Sequence, residues 1–115
     1  MPPTQVEALA RRCFDSYRTA DRAAIEALLH PDFTFTSPYD DHIDRAAYFE
    51  RCWPQAGNFE FQDLEAVVPN GSGGCFVLYN GKAKNGRAFR NMEQLRFRDG
   101  RIVSAEVFFG REPPV

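Results

Sequence analysis

The sequence predicts an α+β domain in which three helices pack on one face of an antiparallel sheet. Three observations carry this. Through the first half, apolar residues recur at helical spacing in three runs, and each run is preceded by a residue suited to cap a helix. From Asn58 onward the pattern changes to segments of strand length separated by Gly- and Asn-containing turns. No repeat, linker or low-complexity tract breaks the chain, so residues 1–115 read as a single domain.

Thr4 is the expected cap of the first helix, "QVEALARRCFDSYRTA", with Val6, Leu9, Ala10, Cys13 and Tyr17 on one face. Asp21 caps a second, "RAAIEALLH", which Pro31 stops. "DFTFTS" then alternates, with Phe33, Phe35 and Ser37 on one side. It reads as a short strand ended by Pro38 and followed by an acidic loop, "SPYDDHI". Asp44 caps the third helix, "RAAYFERCW", ending at Pro54, with Tyr48, Phe49, Cys52 and Trp53 apolar. The strands "NFEFQDLEAVV", "GCFVLYNGKA", "AFRNMEQLRF" and "RIVSAEVFF" follow, with turns at "PNGSGG" and "KNGR".

Composition excludes several classes. Hydrophobic residues make up 43% of the chain and charged residues 26%, an ordinary globular balance. A net charge of −2 leaves no footprint for nucleic acid. No stretch has the length of a membrane span, and the start, "MPPTQVEALARR", lacks the apolar run of a signal peptide. Cys13, Cys52 and Cys75 match neither a disulfide framework nor a zinc spacing. Free thiols in a reducing cytoplasm are the expectation. Two separated histidines offer no metal site, and "NGSGG" has no following helix to make a phosphate cradle.

The last hairpin carries the chemistry. A two-residue turn at Asp99-Gly100 would pair Arg98 with Arg101 and set Glu93 against Glu106, an unfavourable like-charge pair. A three-residue turn with Gly100 left-handed pairs Phe97 with Arg101, Glu93 with Ala105 and Asn91 with Val107. It separates apolar from polar residues better and is the expected register. One face is then Phe89, Asn91, Glu93, Leu95, Phe97, Val103, Ala105, Val107 and Phe109. The other holds Met92, Ile102 and Phe108 among Arg90, Gln94, Arg96 and Glu106. An amide and a carboxylate thus point inward among apolar residues. Burial raises a carboxyl pKa unless donors hold the charge. Glu93 is therefore either a structural acid with local partners or a working acid–base on a pocket wall.

"ADRAAIEALLHPDFTFTSP", "HIDRAAYF" and "EQLRFRDGRIVSAEVFF" resemble the SnoaL-like and ketosteroid-isomerase-like superfamily, with the nuclear transport factor 2-like fold. The resemblance spans nearly the whole chain. It implies a curved sheet wrapped round a cone-shaped cavity that takes one small apolar molecule. It implies no particular chemistry, because the fold hosts isomerases, cyclases, dehydratases, epoxide hydrolases and non-catalytic binders. Ketosteroid isomerases carry a base Asp before the Pro that ends the first strand, where this chain has Ser37. They carry a Tyr on the first helix where this chain has Cys13, and an acid in the penultimate strand, where Glu93 stands. In epoxide hydrolases of this fold a basic residue lies two positions before the carboxylate; here that residue is Asn91.

The candidate catalytic residues are therefore Glu93, Asn91 and, from its pairing with Asp41 in the acidic loop, His42. Cys13, Tyr17, Phe35, Ser37, Tyr39, Trp53, Ala105, Val107 and Phe109 are the candidate ligand contacts. Tyr79 lies in a run apolar on both faces, and its direction is open. Three functions compete: a cofactor-free acid–base enzyme acting on a small apolar or aromatic molecule, a non-catalytic binder of such a molecule, and a scaffold whose pocket its own Phe side chains fill. A homodimer through the Met92, Ile102 and Phe108 face is the expected assembly.

Overall fold

The computed structural model describes residues 1–110; the last five of the expected domain lie outside them. Helix α1 (Pro3–Arg18) begins one residue before Thr4, with Pro3 in the first turn, where its missing N–H is no loss, and with no side-chain cap. Val6, Ala10 and Phe14 are its buried apolar residues. Helix α2 (Arg22–Leu28) is capped by Asp21, whose carboxylate accepts from the Ala24 N–H at 3.1 Å. Asp44 does the same for Ala47 at the start of α3 (Arg45–Arg51), at 2.9 Å. A 3-10 turn, Trp53–Gln55, follows.

Pro31 does not mark the end of α2. Strand β1 (Leu29–Ser37) already runs through it, which places His30 in a strand rather than at a helix end. The expected acidic loop is an edge strand, β2 (Asp40–Asp44), hairpinned onto β1. Proline is tolerated so near the start of β1 because it offers the ladder no N–H to lose there. Then come β3 (Phe59–Pro69), β4 (Gly74–Ala83), β5 (Ala88–Arg98) and β6 (Arg101–Phe109).

The six strands form one curved, unclosed sheet in the order β2-β1-β6-β5-β4-β3. The sheet is mixed, not antiparallel throughout: β1 runs parallel to β6, with Phe35 beside Ala105. The helices cover its concave face, and the core joins Val6, Ala10, Ile25 and Phe33 to Cys75, Leu95 and Ile102.

The β5–β6 register corrects the expected one. The turn is the two-residue type, with Asp99 (φ 55) and Gly100 (φ 74) both left-handed and Arg98 opposite Arg101. The ladder then slips by one, because Phe97 pairs with Ile102 and Arg96 with Ser104, leaving Val103 as the extra residue of a bulge. Beyond it Glu93 faces Val107, Leu95 faces Ala105 and Gln94 faces Glu106. The bulge relieves the Glu93–Glu106 clash that a plain two-residue hairpin would impose. The two-residue turn sets Ile102 opposite Phe97 on the inner face, fully buried, and takes it out of the expected dimer patch.

Candidate functional site

Between α1 and the concave sheet lies a cavity of about 340 Å³. That is near the lower end of the range typical of ligand sites, about 300–1,000 Å³. Cys13, Phe14 and Tyr17 of α1 form one wall; Phe33, Phe35 and Tyr48 close another. The sheet contributes Tyr79, Phe89, Asn91, Glu93, Leu95, Ala105 and Val107, with Phe109 at the rim.

Glu93 is the one carboxylic acid among the described residues that line the cavity, on a wall whose other polar groups are Asn91 and the Tyr79 hydroxyl. Its neighbours across the ladder are Val77 and Val107. Its Oε1 accepts from the Tyr79 hydroxyl at 3.2 Å. Desolvation by burial pushes its pKa from 4.5 up to about 7, against which the Tyr79 bond pulls down. Tyr79, whose direction the apolar run left open, points inward beside Asn91, its ladder partner. Burial and the Glu93 charge raise its pKa, while the Asn91 amide acts on the same hydroxyl in the opposite sense.

Tyr17 lies across the cavity from this group, as expected, but its hydroxyl donates to the Cys52 backbone carbonyl at 3.0 Å. Its ring packs against Trp53 and Phe59, with centroids 5.8 and 5.7 Å away. Burial raises the pKa of Cys13 well above that of a free thiol and that of Cys75 to about 11, so neither is a ready thiolate.

Four of the expected site residues do not line the cavity. The Ser37 hydroxyl accepts from the Tyr39 N–H and donates to Asp40, because Pro38 turns the chain sharply there. Tyr39 is 76% exposed, with its ring edge against Phe109. His42 faces solvent, paired with Asp41 at 2.6 Å. Trp53 packs between Tyr17 and Phe49 as a structural plug. Asp40 is not a loop acid; Arg51 holds it at 2.7 Å. Among the described residues no group of His, Cys, Asp and Glu could hold a metal ion. No described helix is long and apolar enough to cross a membrane.

Asn85 and Arg87, from the turn between β4 and β5, also line the cavity, and Gln55 and Gln62 join them without a strong sequence signal. Gln55 follows Pro54 in the 3-10 turn, and Gln62 is turned inward by a bulge in β3 between Phe59 and Phe61. That bulge interrupts the alternation through "FEFQ", which would otherwise have shown Gln62 on the face of Glu60.

A family model described as a SnoaL-like domain matches residues 10–105. The chain belongs to the SnoaL-like family. Other members of the fold share little sequence with this SnoaL-like protein. A Kribbella flavida protein described as a "putative ketosteroid isomerase" superposes with a TM-score of 0.77 at 21% identity, over 98% of this chain and 84% of that one. An LEH-like epoxide hydrolase from M. tuberculosis gives 0.76 at 15% identity, over 94% and 84%. A protein with a cystatin-like fold from Methylobium petroleophilum gives 0.82 at 16%, over 99% and 81%. No curated protein matches the chain. At these identities the likeness is one of fold.

Proposed function

We propose that this SnoaL-like protein is a cofactor-free enzyme that moves a proton on a compact apolar molecule bearing one carbonyl group. The observation that carries this is Glu93: a carboxyl on the cavity wall, held by one hydroxyl, with its pKa lifted to about 7. An acid–base group works best when its pKa lies near the working pH. In its ionised form Glu93 takes a proton from the carbon next to the carbonyl. The electron pair moves onto the carbonyl oxygen, which accepts a hydrogen bond from the Asn91 amide. Glu93 then returns the proton to the same or a conjugated carbon. Isomerase and epoxide-hydrolase descriptions among the structural neighbours are compatible with such a role for a cavity carboxylate. The same reading makes the protein a cytoplasmic, single-domain homodimer paired through the outer sheet face. Phe76, Met92 and Phe108, each more than a third exposed, supply the apolar patch there.

A non-catalytic binder is the second reading. It is favoured by the Tyr17 hydroxyl, which is committed to Cys52, and by the position of Ser37 outside the cavity, so that Asn91 is the one expected oxygen-holder left facing Glu93. A cavity of about 340 Å³ weighs against a pocket filled by its own side chains. Hydrogen–deuterium exchange α to the carbonyl of bicyclic ketones, followed by NMR in D₂O, separates the readings. The enzyme reading expects exchange that falls about 10²–10⁴-fold in Glu93→Gln. Binding without protein-dependent exchange supports the binder, and no binding by any ketone removes both.

A further inference from the structure

Gln62 is one of the polar cavity residues that the proposed chemistry leaves unused. Its side chain lines the cavity, and its amide oxygen Oε1 is shut off from solvent with no hydrogen-bond partner among the described residues. Leaving a buried acceptor unpaired destabilises the fold. The two other side-chain atoms in this condition, on Asp40 and Arg45, do not line the cavity. The position is also built by the backbone. The bulge between Phe59 and Phe61 turns Gln62 from the solvent face to the concave face, where it pairs with Gly81. A side chain at Gly81 would collide with the Phe61 carbonyl and the Phe89 ring, both 2.6 Å from its Cβ position. Phe89 can therefore lie across the row in which Gln62 sits. Gln55, Asn85 and Arg87 line the cavity too, as further polar groups.

Glu93 lies in another row. Gln62, Gly81 and Phe89 are side by side across β3, β4 and β5, and Glu93 is four residues further along β5. Four residues of strand span about 13 Å. The cavity is thus polar along Glu93, Asn91 and the Tyr79 hydroxyl, and again in the row of Gln62.

We infer that Gln62 is a second polar anchor: its amide, whose oxygen water does not reach in the free protein, turns into the cavity and selects ligands that present a hydroxyl or N–H donor at the end opposite the carbonyl held near Glu93. The ligand class is a compact apolar ketone with a distal hydrogen-bond donor. This rests on the cavity being the ligand site proposed above, and it adds a specificity that Glu93 and Asn91 do not supply. A buried acceptor discriminates against a ligand that lacks the donor because it then stays unpaired.

The test uses 1-tetralone, 6-hydroxy-1-tetralone and 6-methoxy-1-tetralone, titrated calorimetrically into the wild-type protein and into Gln62→Leu and Gln62→Met. The hydroxy ketone should bind wild type about 3–10-fold more tightly than the parent, the worth of one such bond. The methoxy ketone, which cannot donate, should bind no better than the parent. Both variants should melt at or above the wild-type temperature and lose the hydroxyl preference while still binding 1-tetralone. No preference in wild type, a preference that survives in both variants, or an equal gain from the methoxy group overturns the inference. A lower melting temperature in both variants overturns it too, by showing that the amide is satisfied in the free protein. If 1-tetralone itself fails to bind, the cavity reading falls and takes this one with it. If 1-tetralone binds without a hydroxyl preference, this one falls alone.

Discussion

Glu93→Gln keeps the shape of the side chain and removes its charge. In the folded protein burial lifts the Glu93 pKa to about 7; unfolding returns it to an ordinary value near 4.5. Between those values the folded state holds a proton that the unfolded state has released. Stability must then fall as pH rises through that window and level off above about pH 7. At about 1.4 kcal/mol per pH unit the full loss is about 3 kcal/mol, an upper figure because solvent reaching the cavity screens the charge. For a domain of this length that is about 10 °C in melting temperature. The glutamine variant lacks this dependence, while all other titrating groups are common to both proteins. Thermal melts monitored by circular dichroism from pH 4.5 to 8 should therefore show the two proteins close together in acid. The wild type should be about 10 °C the less stable at pH 8. A constant difference across the range would mean that Glu93 titrates as an exposed carboxylate does, and the reasoning from its burial would fail.

Tyr79→Phe removes the bond that holds the Glu93 pKa down, so the midpoint of that pH transition should move to higher pH; carboxyl-carbon NMR showing it unmoved or lower would contradict the assignment. Ile102→Ala should cost about 2–5 kcal/mol in urea unfolding, as befits a fully buried side chain, whereas a surface residue of a dimer patch would cost the monomer well under 1 kcal/mol. Asp44→Ala should cost about 1 kcal/mol by removing the α3 cap. Phe108→Glu should convert a dimer to a monomer in light scattering with little change in melting temperature, and a mass already monomeric in the wild type would dispose of the outer-face interface.

Local features of the fold were legible because local chemistry decides them. Asp21 and Asp44 cap helices through bonds to residues three positions on, and "GCFVLYNGKA" and "RIVSAEVFF" coincide with β4 and β6. Glu93, Asn91, Cys13 and Tyr17 reach the cavity because a helix face and a strand face each keep a period that the sequence displays. What escaped depends on partners distant in the chain. "DDHID" has no strand pattern of its own and becomes β2 only by pairing with β1. The last hairpin combines features of both weighed registers: the tight turn of one and a bulge, displaced to Val103. Nothing local in "RIVSAEV" marks Val103 as the extra residue. Gln62 escaped for the same reason, since a bulge in β3 sets its direction.

The place of β6 has a consequence for how the chain comes to be folded. It is the last described strand to be synthesised, yet it lies inside the sheet, between β1 and β5. Until it is available, the β1–β2 hairpin has no neighbour on its inner side, and β5 presents an open edge that invites another chain. Closing the β1–β6 ladder brings Phe35 to Ala105 across most of the sequence, and such distant pairings slow folding. A nascent chain that has formed β3, β4 and β5 is therefore at its most aggregation-prone until β6 emerges. Residues 101–109 end that exposure by filling the gap between the two halves of the sheet.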